Sequence, residues 1–243
     1  MRLAIISDIH ANLEALEAVL EDIDKSNIDD IICLGDIVGY GANPNECAQI
    51  IAKRCKIILL GNHDAAATNL LTTQHFNIHA RIAIDWTAET LTHTNKTFLS
   101  ALPVMKTNDL MTFVHATPYE PNMWYYITSL EEAAFNFQFF DTRFCVVGHT
   151  HIPMIIALEN DEIYVQQEKQ ISYKDKDDLR LLINIGSVGQ PRDRNPNCSY
   201  GILDTDEKIF SLQRVPYDFA KTQAKMKRIR MPDFLVNRLA EGR

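Results

Sequence analysis

Residues 3–10 read LAIISDIH, a short apolar run that ends in an aspartate, with a histidine two positions after it. Because the run is apolar throughout and only a few residues long, it is typical of a strand buried on both faces of a sheet. Asn12 is a good N-cap, and the apolar residues after it recur at helical spacing. A second apolar run, IICL, follows at 31–34. Strand, helix and strand in this order predict an α/β sheet covered by helices.

Similar apolar runs and helical patterns recur farther along the chain. The further runs are IILL at 57–60, LMTFV at 110–114 and FCVV at 144–147. Helices are predicted at 44–52, 78–101 and 130–140, from a proline start, helical periodicity and a capping box. After residue 152 the strands are joined by short turns at 160–161 and 204–207, and 169–178 is predicted as a polar loop. The sequence therefore predicts two sheets packed face to face and flanked by helices.

The expected organisation is one domain over residues 1–215, followed by a helical tail over 216–243 that packs on this domain or extends from it. The tail is predicted to break at Pro232. Its segment 221–230 carries five basic residues and no acidic one. That composition is typical of a solvated helix face, although an anionic partner or a second copy of the chain could also bind there. A homo-oligomer is therefore left open.

Composition limits the function classes. Of the 243 residues, 46% are hydrophobic, which is enough for a full core. The net charge of −8 disfavours a nucleic-acid polymer as partner, because phosphate backbones favour clustered positive charge. No apolar run reaches the ~18 residues that span a membrane, so no membrane partner is expected. The five cysteines form no CxxC pair and the N-terminus lacks a signal-peptide pattern, so a cytoplasmic location is expected.

Each of the five apolar runs before residue 152 ends in a residue that can bind a metal ion. The candidates are Asp8, His10, Asp36, Asn62, His115, His149 and His151. The carboxyl ends of strands form the site in α/β sheets, and the i, i+2 pairs would point to one side of an extended backbone. Imidazole, carboxylate and amide donors without a thiolate suit Mn, Fe, Zn, Co or Ni. So many ligands match two ions bridged by one carboxylate, an arrangement typical of phosphoryl hydrolysis.

The order of these residues resembles that of a known family. The motifs are Asp8-Ile-His10, Gly35-Asp36, Gly61-Asn62-His63-Asp64, His115 and Gly148-His149-Thr150-His151. They resemble the pattern DxH, GD, GNHD/E, H and GHxH of the calcineurin-like metallophosphoesterases. The segments 35–45 (GDIVGYGANPN) and 186–193 (GSVGQPRD) resemble a narrower branch of bacterial predicted phosphodiesterases related to diadenosine tetraphosphatases. The resemblance implies an αββα sandwich of two mixed sheets flanked by helices.

The resemblance also implies roles for the ligands. The first ion would be held by Asp8, His10, Asp36 and His151. The second would be held by Asp36, Asn62, His115 and His149, with Asp36 bridging the two. The cofactor would be two divalent ions drawn from Mn, Fe, Zn, Ni or Mg, with manganese as one candidate. His63 would act at the leaving group as general acid or as a hydrogen-bond donor to the transition state, and Asp64 would orient it, unless Asp64 only caps a helix or lies at the surface.

Substrate contacts are assigned to Arg192, Asn62 and His63. The chain lacks the arginine of the GDxVDRG motif of protein serine/threonine phosphatases, which disfavours that class. Another cation would then hold the substrate, and Arg192 is the best candidate because a guanidinium binds phosphate bidentately. The alternative for Arg192 is a salt bridge that fixes its loop. Residues 123–126 (MWYY) are expected either to stack on a nucleobase or to form core or interface.

The function expected from the resemblance is a dinuclear metal-dependent phosphoesterase that acts on a small phosphodiester or nucleotide. The expected reaction is in-line attack on phosphorus by a hydroxide that bridges the ions. One alternative is a hydrolase of dinucleoside polyphosphates of the diadenosine tetraphosphate type, which would use the same ions. A more distant alternative is a catalytically silent scaffold on the same fold.

Overall fold

Two six-stranded mixed sheets face each other in the computed structural model, which describes all 243 residues. In the first sheet the strands lie in the order β3 (Ile57–Ile58), β2 (Asp30–Cys33), β1 (Arg2–Ile6), β11 (Cys198–Asp204), β12 (Ile209–Val215) and β9 (Gln170–Ser172). In the second sheet the order is β4 (Met105–Thr107), β5 (Met111–Val114), β6 (Phe144–Val147), β10 (Arg180–Asn184), β7 (Met154–Glu159) and β8 (Glu162–Val165). The strands that precede the predicted ligands pair in parallel, so their carboxyl ends lie at one edge of each sheet.

Eight helices cover the sheets. They are α1 (Leu13–Asp24), α2 (Pro44–Arg54), α3 (Asn62–Ala67), α4 (Ile78–Thr90), α5 (His93–Ser100), α6 (Leu130–Asn136), α7 (Phe219–Arg228) and α8 (Asp233–Glu241). Short 3₁₀ turns occur at Thr73–His75, Pro121–Met123 and Phe137–Phe139. No helix is both long and apolar enough to cross a membrane.

The core is layered in the way that the predicted sandwich requires. One buried cluster lies between the sheets and includes Ile5, Leu34 and Phe113. A second buried cluster joins the first sheet to α1 and α2, and a third joins the second sheet to α6 and the turn after it. Apolar side chains alternate between these layers along the central strands such as β1, β5 and β6, so both faces of each sheet are buried there. The αββα sandwich of two mixed sheets is therefore confirmed.

Two local predictions are wrong. The helix predicted over 78–101 is two helices, because Leu91 adopts an extended backbone and the hydroxyl of Thr92 caps α5 by accepting from the N–H of Asn95. The predicted loop over 169–178 contains the edge strand β9. Only Ile171 of β9 is buried, so the strand carries no alternating apolar pattern that the sequence could reveal.

The tail over 216–243 folds as α7 and α8 and packs against the rest of the chain. A buried cluster joins Met226, Leu235 and Leu239 of the tail to Ala83 of α4 and to Tyr40. The other connection is polar. The carboxylate of Glu14 in α1 forms an ion pair with the ammonium of Lys225 at 2.6 Å and accepts a hydrogen bond from the hydroxyl of Thr222 at 3.2 Å. These contacts fasten the tail beside the carboxyl end of β1.

Candidate metal centre

The loops after the strands have an unusual backbone. Five predicted ligands have a left-handed φ between 50° and 67°: Asp8, His10, Asp36, His149 and His151. Such a φ is uncommon outside glycine, and clusters of such residues are typical of functional sites. The sequence predicts extended backbone for the i, i+2 pairs, but in the structure they do not lie on extended backbone. Each loop turns sharply, and the N–H of Asp8 donates to the carbonyl of Gly35, which ties two of these loops together.

The first group of side chains lies at the end of β1. The Nε2 atoms of His10 and His151 are 3.0 Å apart. Oδ1 of Asp8 lies 3.2 Å from Nε2 of His151 and 3.8 Å from Nε2 of His10. All three side chains are buried. Three donor atoms that converge in this way can hold one cation.

The second group lies at the ends of β2 and β5. Oδ2 of Asp36 is 3.4 Å from Nε2 of His115 and 3.7 Å from Nε2 of His10. His149 completes this group, and Asn62 is buried at the start of α3. The same oxygen of Asp36 therefore lies between the two groups, which is where a bridging carboxylate belongs.

Hydrogen bonds at the far side of each ring fix which nitrogen faces the centre. Nδ1 of His10, His115 and His151 lies 3.2, 3.1 and 2.6 Å from the carbonyls of Val38, Leu34 and Gln190, respectively. His149 is reversed, with Nε2 3.0 Å from the carbonyl of Trp124. When these nitrogens carry the proton, the other nitrogen of each ring presents a lone pair to the centre, as metal-binding histidines do.

The buried polar atoms of the centre fit a pair of divalent cations. Oδ1 of Asp8, Oδ1 of Asn62 and Nε2 of His115 are buried and have no hydrogen-bond partner. Burial raises the pKa of the Asp36 carboxyl, but the neighbouring rings of His115 and His63 outweigh burial and hold that pKa well below its ordinary value. Burial lowers the pKa of His149 to about 3, so its ring is neutral. Burial lowers the pKa of the His115 ring, but the Asp36 carboxylate outweighs burial and raises that pKa to about 9. A cation bound there would therefore displace a proton, because metals bind ionised carboxylates and neutral imidazoles.

His63 lies inside the centre, where one of its ring nitrogens is within 4.8 Å of donor atoms of His10 and Asp36. Its ring is buried, with centroids 4.8 Å from the ring of His10 and 4.4 Å from the ring of Tyr40. Its Nδ1 is buried without a hydrogen-bond partner. Gly39 makes room for this ring, because a Cβ atom at position 39 would lie 2.6 Å from Nδ1 of His63 and φ of Gly39 is +91°. The ring is thus placed beside the metal groups without being tied to another side chain.

Asp64 has the environment of the helix-capping alternative and not that of a residue that orients His63 by contact. Its Oδ1 accepts from the N–H of Val38 at 3.0 Å, and its Oδ2 accepts from the N–H of Gly61 at 3.1 Å. No hydrogen bond joins Asp64 to the His63 ring. Burial, reinforced by Asp36, raises the pKa of the Asp64 carboxyl to about 7. Asp64 is fully buried and closes the capping box of α3, so it positions the loop that carries Asn62 and His63.

Arg192 lies close to the centre and has no carboxylate partner. Its guanidinium donates to Oε1 of Gln190 at 2.9 Å and to the hydroxyl of Tyr40 at 3.5 Å. Its Nε is buried without a hydrogen-bond partner. The loop is instead fixed by the neighbouring Asp193, which pairs with Arg214. The alternative of a loop-fixing salt bridge therefore does not apply to Arg192.

Two contributors to the site were not singled out in the sequence. Tyr40 contacts His10, His63 and Arg192. Its signal was present, since it stands between two glycines in the segment GDIVGYG. Phe76 lies 5.3 Å from the His63 ring. Phe76 belongs to an irregular segment between α3 and α4, and no local pattern points to it.

The match to a family model decides where the chain belongs. Residues 1–208 match the calcineurin-like phosphoesterase superfamily domain. The chain belongs to this superfamily. A metallophosphoesterase from Sphaerobacter thermophilus, known by its crystal structure, is 42% identical, with a TM-score of 0.87 over 100% of this chain and 99% of that one. Membership implies a hydrolase that acts on phosphoesters.

Two curated relatives are similar to the chain over most of its length. The uncharacterized protein MJ0912 of Methanocaldococcus jannaschii is 39% identical over 252 residues, which cover 99% of this chain and 98% of that protein. Phosphodiesterase YfcE of Escherichia coli K12 is 27% identical over 219 residues, covering 85% of this chain and 89% of that protein. The crystal structure of a candidate diadenosine tetraphosphatase is 18% identical with a TM-score of 0.53, covering 88% of this chain and 93% of that one, which shows a shared fold alone.

Proposed function

We propose that the chain is a dinuclear metal-dependent phosphodiesterase for small substrates. The observation that carries the proposal is that Asp36 lies between the Asp8, His10 and His151 group and the His115 and His149 pair. Asp8, Asn62 and His115 each have a buried donor atom without a partner. Buried polar atoms without partners are costly and rare in native proteins. Cations at these positions would satisfy them. YfcE, a relative, is named a phosphodiesterase.

The proposed ligands divide between two ions. Asp8, His10, Asp36 and His151 hold one ion, and Asp36, Asn62, His115 and His149 hold the other. The donor set accepts Mn, Fe, Zn, Ni or Mg. When bound, such a pair of ions supplies a water of lowered pKa and neutralises charge on the phosphoryl oxygens. Backbone carbonyls behind the four histidines hold the rings in the orientation that this binding needs.

His63 is proposed as the proton donor to the leaving group. In the reaction, oxygen from water bonds to phosphorus and a proton of that water passes to the solvent, the ester P–O bond breaks, and the departing oxygen takes a proton or accepts a hydrogen bond from a ring nitrogen of His63. A positioned acid of this kind contributes about 10² to 10⁴ in rate. Asp64 acts through the loop that carries His63 and not by contact with its ring. It is therefore proposed as a positioning residue.

Arg192 is proposed to bind a non-bridging phosphate oxygen, and Asn62 and His63 border the same space. A guanidinium without a carboxylate partner, next to a site for phosphate, can form charge-assisted hydrogen bonds with the substrate. Gln190 and Tyr40 keep it in place through uncharged contacts, so its charge remains available to an anion.

The test is metal reconstitution. Metal-stripped protein is supplied with Mn, Mg, Zn, Ni or Fe(II) in turn and assayed on bis-p-nitrophenyl phosphate, a diester, and p-nitrophenyl phosphate, a monoester. We expect metal-dependent turnover that favours the diester. Asp36→Asn should abolish it, while Asp109→Asn, which removes an exposed carboxylate, should not. Protein that binds two ions but hydrolyses neither ester, nor a dinucleoside polyphosphate, would contradict the proposal and favour a silent scaffold.

A further inference from the structure

A cavity of about 540 Å³ opens directly beside the metal centre. Its inner end is formed by Asn62, His63 and His149, which belong to the centre. Its sides come from two segments, residues 71–80, which lead into the first turn of α4, and residues 122–126 after β5. The volume falls within the roughly 300–1,000 Å³ of typical small-molecule sites. A group bonded to a phosphate at the centre would therefore extend into this cavity.

The second of these segments is fastened to the metal centre. Residues 119–126, here named the aromatic strap, contain a 3₁₀ turn between Glu120 and Trp124, which both have a left-handed backbone. The carbonyl of Trp124 lies 3.0 Å from Nε2 of His149. The ring of Tyr126 stacks on the ring of His149, with centroids 4.2 Å apart and planes 22° apart. The strap is thus held at a fixed position relative to the metal centre.

The lining of the cavity is aromatic, uncharged and partly polar. Seven of its 14 residues are hydrophobic, and they include Phe76, Trp124 and Tyr126. None of the 14 is Lys, Arg, Asp or Glu. Asn122 supplies an amide group that can donate and accept hydrogen bonds, and Asn77 can donate from Nδ2 while its Oδ1 accepts from the N–H of Ala80 at 3.0 Å. Such a lining fits a neutral, planar ring system with hydrogen-bonding edges.

Two large side chains at the rim of the cavity are exposed, which supports the binding of a ligand there. Tyr126 is 52% exposed and Met123 is 57% exposed, although both border the cavity. Large exposed apolar side chains clustered at the rim of a site are typical of ligand-binding surfaces. The face of Tyr126 that does not stack on His149 is available to a second ring.

We propose that this cavity binds the base of a nucleoside, and that the substrate is a small nucleoside phosphodiester whose phosphate lies at the metal centre. The inference rests on the proposed phosphodiesterase function and names its substrate class. Phe76 and Tyr126 are assigned as residues that determine this specificity. A base stacked on aromatic side chains in a neutral pocket gains affinity that an alkyl group of the substrate does not.

The test uses three p-nitrophenyl esters, of thymidine 5′-phosphate, of methyl phosphate and of phosphocholine. In each, the P–O bond to the p-nitrophenyl group breaks, water supplies the new oxygen on phosphorus and releases a proton to the solvent, and p-nitrophenolate leaves. The leaving group is constant, so differences in kcat/KM report the other group on phosphorus. We expect the thymidine ester to exceed the methyl ester by at least about tenfold, since stacking of one base is worth about 1–3 kcal/mol.

Variants of the two residues test whether Phe76 and Tyr126 determine the specificity. Tyr126→Ala and Phe76→Leu should each lower the thymidine-to-methyl ratio by about fivefold or more. The ratio cancels any shared effect on the metal centre. Tyr164→Ala in β8 removes a tyrosine outside the cavity lining and should leave the ratio unchanged. Equal turnover of the thymidine and methyl esters, or unchanged ratios in both cavity variants, would overturn the inference. Preference for the phosphocholine ester would overturn it in favour of a cation held by aromatic rings.

Binding gives a readout that needs no turnover. The chain has two tryptophans, so Trp86→Phe leaves Trp124 as the fluorescent reporter in the strap. Thymidine 5′-monophosphate should quench this fluorescence to saturation, and ribose 5-phosphate, which has no base, should not. Equal responses to both would overturn the inference. If no ester is hydrolysed, the proposed function fails, and this titration still decides whether the cavity binds a base.

Discussion

The metal centre and the cavity beside it are built by different physical means. In the centre, side chains are buried, the backbone is left-handed at five positions, and carbonyls hold the far nitrogens of four rings. In the cavity, the lining comes from irregular segments and includes half-exposed side chains such as Tyr126. The contrast teaches that rigid strand ends position the reacting side chains, whereas the loops that line the cavity determine which substrate binds beside them.

The largest effect is expected from removal of the side chain of His63, which tests the metal centre and not the cavity. His63→Ala should lower kcat by about 10² to 10⁴, the usual contribution of a positioned acid, on a diester with an alkoxide leaving group such as a dinucleoside monophosphate, because p-nitrophenolate leaves without a proton. Metal content, measured by mass spectrometry on the same sample, should stay at the wild-type level because His63 is not a proposed ligand. Full activity on the diester would show that the assigned role is wrong.

Gly39 links the two regions by leaving space for His63. Gly39→Ala places a Cβ atom 2.6 Å from Nδ1 of His63 in the present geometry, so the ring must move. We expect kcat to fall between about 10- and 100-fold, as small displacements of catalytic groups do. In a His63→Ala background the same substitution should have little further effect on kcat. Additive losses in the double variant would refute the coupling.

Arg192 should affect substrate binding more than metal binding. Arg192→Ala removes charge-assisted hydrogen bonds to the phosphate, so KM for the diester should rise about tenfold or more. Arg192→Lys should restore part of the loss, and the exposed Arg194→Ala serves as the matched control. An unchanged KM in Arg192→Ala would leave that guanidinium without a role in substrate binding.

The smallest expected effect concerns the tail, which lies outside both regions. Burial raises the pKa of Glu14, but hydrogen bonds from Lys225 and Thr222 outweigh burial and lower it below its ordinary value of 4.5. A lowered folded-state pKa stabilises the fold above the ordinary value, and this stabilisation is lost as the pH falls through the folded-state pKa. Glu14→Gln should therefore lower the free energy of unfolding by about 1–2 kcal/mol at pH 7.

Urea unfolding of the metal-free protein measures this change. The difference between wild type and Glu14→Gln should shrink as the pH falls below 4.5. Glu17→Gln replaces an exposed glutamate of the same helix and should have no comparable effect. A difference that persists unchanged in acid would mean that the ion pair to Lys225 is not its source.

Prediction from the sequence succeeded where the signal is local. A short apolar run can be recognised as a strand from the local sequence alone. The polar residue that follows it is then expected at the carboxyl end of the strand, and Asp8, Asp36 and His115 lie there. The sequence did not reveal the left-handed loops, the break at Leu91 or the partners of Asp64, because these depend on contacts between distant segments. A cytoplasmic location and a homo-oligomer stay predictions.

The central claim is that the chain holds two ions that share Asp36. Metal content per chain, measured by mass spectrometry after reconstitution and gel filtration, tests it most directly. The account predicts two ions in the wild type, about one in His10→Ala, which damages only the first group, and fewer than one in Asp36→Asn. A wild-type protein that hydrolyses the diester fully with a single ion per chain would contradict the account.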